Sequence, residues 1–372
     1  MIRSSIFPGR YIQGGGALDV LGDEIKRFGS NALFILTRYA YQNLLEEMKQ
    51  KVGGKIEAHF EPFGGECSDE EIERITGIAK DKKANVVAGV GGGKAIDTAK
   101  ITAYNISSPI VIVPTIASTD APCSANSVIY TEDEEFKRYF MLPKNPDAVI
   151  VDTAVIAKAP VRFLISGMGD ALATRFEAES CIQKNADNLT GYKGTLTAGR
   201  LASLCYEIIV THGLKAKTSC ESDLVSEALE HVVEANTLLS GLGFESVGLA
   251  AAHAIHNGLT VNSKTSNFFH GELVAVGTLA SLFLTDKPKS LIDEVYGFCL
   301  SVGLPVTLGD IGLEKISDSD LMKIAEASCK EGETIYNEPV PITTEKLFDA
   351  LREADRYGAY LRKNNQTRID NS

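Results

Sequence analysis

Positive charge is in short supply in this chain: across 372 residues, 37 Lys and Arg face 49 Asp and Glu, for a net charge of −12. Without a surplus of cations to neutralise phosphates, the composition argues against a nucleic-acid partner. The stretch Lys80-Asp81-Lys82-Lys83 reads as a solvated helix end. Paired cysteines are missing too. Seven Cys, an odd number with no C-x-x-C spacing, fit free thiols in a reducing compartment rather than a disulfide framework. No apolar run approaches the roughly 20 residues that span a bilayer, and Met1 to Pro8 lacks the apolar centre of a secretory leader. The standard nucleotide fingerprints GxGxxG and GxxxxGK[ST] are absent as well. The expectation is a cytoplasmic globular chain with no nucleic-acid or membrane partner, long enough for two domains with cores of their own.

What is present is concentrated in a few places. Val86-Val-Ala-Gly-Val-Gly-Gly-Gly-Lys-Ala-Ile-Asp-Thr-Ala-Lys100 is an apolar strand that breaks into glycines and opens directly into a helix. Glycines allow close backbone approach, and a helix N-terminus offers N–H groups and a positive dipole end to a pyrophosphate. A tight turn with no ligand explains the same residues. Around it, Ala32–Leu36, Val86–Val90, Ile110–Val113 and Ala148–Val151 are short Val/Ile-rich runs separated by amphipathic segments. One such segment opens with Ser68 and Glu71 at capping-box spacing and aligns Ile72, Ile75, Ile78 and Ala79. This alternation predicts an α/β domain with a parallel sheet over residues 1–159. After Ala159-Pro160 helical patterns follow one another, among them Ala198–Val210 and Asp223–Leu239, so residues 160–372 are expected to form an all-α domain.

Three of the six histidines crowd into one region of the helical half. His253 and His256 are three apart on one helix face, and His270 precedes another apolar helix. Asp170 ends the glycine-broken entry Ile165-Ser-Gly-Met-Gly-Asp to a helix over 171–178. Imidazole and carboxylate suit Zn²⁺ and equally a two-His, one-carboxylate Fe²⁺ site. Taken singly, each histidine reads as a hydrogen-bonded core residue, and Asp170 as a helix cap. Asp120 lies in a polar loop after the third of those Val/Ile-rich runs, where its carboxylate can accept bonds from substrate hydroxyls or serve the turn's own backbone.

Four stretches together carry a resemblance: Gly64-Gly-Glu-Cys-Ser68, Gly91–Lys100, Pro114-Thr-Ile-Ala-Ser-Thr-Asp-Ala-Pro-Cys-Ser124 and Gly248-Leu-Ala-Ala-Ala-His-Ala-Ile-His-Asn-Gly-Leu-Thr260. In this order they resemble the zinc-dependent glycerol dehydrogenase branch of the iron-containing alcohol dehydrogenase superfamily, from Pro8 to Ile335. The resemblance implies a Rossmann-like N-terminal domain and a helical C-terminal domain, the architecture shared with dehydroquinate synthase, with the active site in the cleft between them. It implies metal ligation by Asp170, His253 and His270, with His256 nearby in the substrate cleft. It also implies dinucleotide contacts from Gly92, Gly93, Lys94, Asp97, Thr115, Ser118, Ser124, Asn126 and Tyr130, and Asp120 facing the substrate. Iron-dependent relatives carry a further His four residues after the metal Asp; here that position is Thr174, which points to zinc. The substrate implied is glycerol or a related vicinal diol, with Asp120 and His256 at the chemistry, and the assembly implied is a homo-oligomer, often an octamer.

One position departs from the family pattern. Relatives that use NAD place an Asp after the second strand for the ribose hydroxyls, whereas here Leu36 is followed by Thr37-Arg38. A hydroxyl and a guanidinium can accept the 2′-phosphate that a carboxylate repels, so NADP is open beside NAD. The same fold resembles enzymes acting on phosphorylated substrates, but Lys264 is the one cation in the sequence near His253 and His270. A nucleotide-binding sensor without catalysis is the other alternative, and a metal analysis separates it.

Overall fold

The computed structural model of the protein describes residues 1–133 and 135–370. The chain divides into two compact units, one of residues 6–164 and 218–241, the other of 1–5, 165–217 and 242–372. The first is α/β. Its strands are β1 (Tyr11–Gly14), β2 (Asn31–Leu36), β3 (Glu57–Pro62), β4 (Val86–Gly91), β5 (Ile110–Pro114) and β8 (Ala148–Asp152), with β6 (Asn126–Tyr130) and β7 (Phe136–Met141) forming a separate antiparallel hairpin. The six pair in parallel in the order β1-β8-β5-β4-β2-β3. The four Val/Ile-rich runs are the inner strands, buried along almost their whole length, as a sheet covered on both faces requires. The edge strands β1 and β3, Tyr-Ile-Gln-Gly and Glu-Ala-His-Phe-Glu-Pro, are half-buried and carry no such signature.

Helices α1 (Leu21–Lys26), α2 (Arg38–Asn43), α3 (Leu45–Val52), α4 (Asp69–Asp81), α5 (Gly93–Asn105) and α6 (Thr153–Ala157) connect or flank these strands. Ser68 caps α4 by accepting from the Glu71 N–H at 3.2 Å. The expected return bond from Glu71 is not made, because its carboxylate accepts from the Gly64 N–H at 2.7 Å and pairs with Arg74.

The helical unit is built from α7 (Val161–Lys184), α8 (Leu196–Cys220), α9 (Glu227–Glu234), α10 (Ser240–Val247), α11 (Ala251–Leu259), α12 (His270–Leu284), α13 (Lys289–Val302), α14 (Asp318–Ser328) and α15 (Thr344–Asp370), with α9 and the ends of α7, α8 and α10 belonging to the α/β unit. A boundary at 159/160 therefore describes one crossing of four. The segment 223–239, read from its pattern as part of the helical half, packs against the sheet instead. Gln13 donates to Glu230, Thr153 donates to Glu230, and the Tyr11 hydroxyl meets Thr237 at 2.8 Å. Polar tips on an amphipathic helix do not reveal which partner they reach. A second correction concerns α7, which runs unbroken through Gly167 and Gly169, so Asp170 sits in mid-helix and not at its start. The core of this unit gathers Ile255, Leu259, Leu273, Val276, Leu321, Ile324 and Leu351 from α11, α12, α14 and α15. Among the described residues no single helix is long and apolar enough to cross a membrane.

One buried charge holds the α/β unit together next to the glycine turn. The Lys100 side chain is 1 % exposed and its ammonium donates to Asp97 at 3.2 Å, the Ser124 hydroxyl at 3.3 Å and the Asn126 carbonyl at 2.8 Å. Asp97 in turn accepts from the Val128 N–H at 3.0 Å. The ammonium thus ties α5 to β6 and to the loop before it. Lys100→Met should destabilise the protein by about 3–5 kcal/mol, the cost of leaving one member of a buried pair uncompensated. Asp97→Asn in the same chain should recover part of that loss in urea unfolding; additive losses would show that the two charges do not pair.

Candidate functional site

Asp170 projects from the middle of α7, His253 from the first turn of α11 and His270 from the first residue of α12. One donor atom from each lies within 4.8 Å of the others. The His253 and His270 Nε2 atoms stand 3.4 and 3.3 Å from Asp170 Oδ1 without making hydrogen bonds to it. Asp170 is 2 % exposed, and both its oxygens are buried with no hydrogen-bond partner among the described residues. A buried carboxylate with no donor is costly, and this one faces two imidazole nitrogens. An N, N, O set around an unsatisfied carboxylate fits a divalent cation, and it accepts zinc or iron alike. The His270 side chain is 36 % exposed against 14 % for His253, so the cluster is open on the His270 side.

The surroundings orient these groups. Glu177, two turns along α7 from Asp170, accepts at Oε2 from His253 Nδ1 at 2.7 Å. Its Oε1 accepts from the N–H groups of Ala250 and His253 at 2.9 and 3.0 Å. With Nδ1 committed to Glu177, Nε2 is the nitrogen left for a ligand. Burial alone would lower the His253 pKa, but the carboxylates of Glu177 and Asp170 outweigh it and the imidazole is held well above its ordinary value. A proton and a metal compete for that Nε2 lone pair, so metal uptake should release a proton. Burial likewise opposes the charge on Asp170, yet His270 and His253 hold its carboxyl well below the usual carboxylate range. His256 lies against the cluster without offering an atom to it: its Nε2 is 3.0 Å from His270 Nδ1. Burial, then the neighbouring His270 and His253, pushes His256 well below the ordinary histidine value.

The glycine turn lies where the sheet reverses its winding. From β2 the chain moves outward to β3, from β4 the opposite way to β5, and the carboxyl ends of β2 and β4 adjoin. Open parallel sheets bind ligands at this position. Thr37 N–H donates to the Val90 carbonyl at 3.0 Å. Gly91 takes φ +154°, and a Cβ there would lie 2.2 Å from Thr37 Cγ2. Gly92 precedes α5 and has no side chain to cap it. Lys94 contacts the Glu66 carboxylate and stands 5.5 Å from the Tyr130 ring centre. Thr115 donates its N–H to the Gly91 carbonyl at 3.0 Å. Asp97 and Ser124 are both buried on Lys100, whereas Asn126 Oδ1 is buried with no partner among the described residues. The loop carrying Ser118 and Asp120 is held from the π-helical turn Ala235–Leu239, where Asn236 donates to the Ala117 and Leu164 carbonyls at 3.0 and 3.1 Å. Ser240 donates to Asp120 at 2.8 Å.

Glu177, Lys100 and Asn236 were not singled out by the sequence reading. Glu177 had a visible signal, a carboxylate seven residues after Asp170 on the same helical stripe. Asn236 had none, since a π turn leaves no mark in the pattern.

A family model described as iron-containing alcohol dehydrogenase matches residues 8–153. A glycerol dehydrogenase of Thermotoga maritima is 59% identical over 98% of this chain and 100% of its own length. One of Citrobacter freundii is 47% identical over 96% of this chain and 98% of its own. The crystal structure of glycerol dehydrogenase from Schizosaccharomyces pombe superposes with a TM-score of 0.93 at 35% identity, covering 98% of this chain and 93% of that one. On sequence, fold and donor cluster together, the chain belongs to the iron-containing alcohol dehydrogenase family and, within it, to the glycerol dehydrogenases.

Proposed function

We propose that this oxidoreductase oxidises the secondary hydroxyl of glycerol to give dihydroxyacetone, transferring hydride to a nicotinamide dinucleotide, with Asp170, His253 and His270 holding a zinc ion. The observation that carries the reading is the unsatisfied, buried carboxylate of Asp170 facing two imidazoles. A divalent cation held there supplies Lewis acidity that lowers the pKa of a substrate hydroxyl. The chain supplies the rest. Glu177 fixes the face that His253 presents, so the donors are organised before any ligand arrives. Gly92 and the start of α5 present backbone N–H groups to the pyrophosphate, with Gly93, Lys94, Thr115, Ser118, Asn126 and Tyr130 around the dinucleotide. Asp97 and Ser124 support that region through Lys100. Asp120 takes a hydroxyl of the polyol and so favours diols over simple alcohols. Seven cysteines with no disulfide among the described residues support a reducing compartment, the cytoplasm. A homo-oligomer, up to an octamer, rests on the resemblance alone and is read by light scattering.

His270→Ala should lose bound metal and nearly all turnover while still binding reduced dinucleotide, measured by elemental analysis and fluorescence titration. A metal-loaded, fully active variant would sink the ligand assignment. Asp120→Asn should raise KM for glycerol more than KM for the dinucleotide; equal changes would remove Asp120 from the substrate.

Thr37 and the exposed Arg38 stand where a ribose-binding carboxylate would, and Arg38 makes no ion pair among the described residues. We read them as accepting a 2′-phosphate, so NADP should be used beside NAD. Arg38→Ala should lower kcat/KM for NADP about tenfold more than for NAD, as charge-assisted hydrogen bonds contribute about 1.5–3 kcal/mol. A native preference for NAD that Arg38→Ala leaves untouched would mean that Arg38 only faces solvent.

A further inference from the structure

His270 and His253 are oriented by different means, and the device behind His270 extends to a residue outside every role assigned above. Glu333 accepts from Asn257 Nδ2 at 3.1 Å. A carboxylate can only accept, so the amide must turn its nitrogen toward Glu333 and its oxygen toward His256. Asn257 Oδ1 is 3.1 Å from His256 Nδ1, which must therefore carry a proton. The neutral His256 ring then offers its Nε2 lone pair, 3.0 Å from His270 Nδ1, and His270 donates there. In the neutral ring the lone pair then lies on His270 Nε2, the atom 3.3 Å from Asp170 Oδ1.

We infer that Glu333, acting through Asn257 and His256, fixes the tautomer in which His270 offers Nε2 to the metal. Glu333, Asn257 and His256 are positioning residues. His256 is then no exit for the substrate proton, because one ring nitrogen already bears a proton and the other is taken by His270. The inference rests on reading Asp170, His253 and His270 as a metal site.

The test uses the full-length protein and Zn²⁺ affinity measured by chelator competition. Beside it stand the visible spectrum of Co²⁺-loaded protein and the melting temperature of metal-stripped protein. Asn257→Leu removes the acceptor for His256 and should weaken Zn²⁺ binding about 10- to 100-fold, the usual cost of losing a ligand's supporting partner. The Co²⁺ spectrum should shift and the metal-free melting temperature should hold. Glu333→Leu frees the amide to rotate and should weaken binding less. Asn257→Asp placed in the Glu333→Leu background should restore affinity and spectrum, because a carboxylate accepts from His256 in either orientation and needs no anchor. Native affinity in Asn257→Leu, failure of the double variant to recover, or a melting temperature that falls in step with affinity would each overturn the inference. Native protein that binds Zn²⁺ no more tightly than Asp170→Asn would overturn the metal site itself, and the relay with it.

Discussion

The donor cluster of the helical unit depends on one close backbone contact between α7 and α12. Asp170 and His270 each have a glycine beside them, and those glycines touch. A Cβ on Gly169 would lie 2.2 Å from the Gly271 carbonyl oxygen, and one on Gly271 would lie 1.8 Å from the Ser166 carbonyl oxygen. No side chain of any size fits at either place. Interiors are packed too tightly to absorb such an intrusion without moving a helix. The absence of two Cβ atoms is what lets a carboxylate in mid-helix reach an imidazole at the start of another.

With the helices that close, the donors need only be turned the right way, and polar partners do this. The N-terminus of α11 is capped by two buried carboxylates. Glu177 takes the Ala250 and His253 N–H groups, and Glu338 takes the Ala251 N–H at 3.0 Å and the Ser180 hydroxyl at 2.6 Å. Burial pushes the Glu338 carboxyl up to about 6 against these stabilising bonds. Negative groups at a helix N-terminus complement its dipole, and Glu177, which anchors the helix together with Glu338, also aims His253. Structural support and ligand orientation are one set of interactions here.

How much of this could be read from residues alone follows the same physics. The inner strands β2, β4, β5 and β8 were legible because burial on both faces demands continuous apolar runs. β1 and β3 were not, because an edge strand is half-exposed and Tyr-Ile-Gln-Gly has no period to detect. The crowding of histidines pointed to the donor cluster, yet Gly169 was read as a break before Asp170 when it is a close-approach point inside an unbroken helix. Glycine carries both meanings, and only the neighbouring helix decides between them. Lys100 escaped notice for a related reason: an isolated Lys in an Ala-rich helix looks solvated until its three acceptors are known.

The division of the chain also separates the donor cluster from the glycine turn. Asp170, His253, His270 and the groups that orient them, Glu177, His256, Asn257 and Glu333, all belong to one compact unit. Thr37, the glycine turn, Lys100 and the Asn236-braced loop all belong to the other. Among the described residues, His253 is aimed by Glu177 and His270 meets His256, while Lys100 and Asn236 brace the glycine turn and the loop beside it. Each cluster is thus organised by side chains of its own unit.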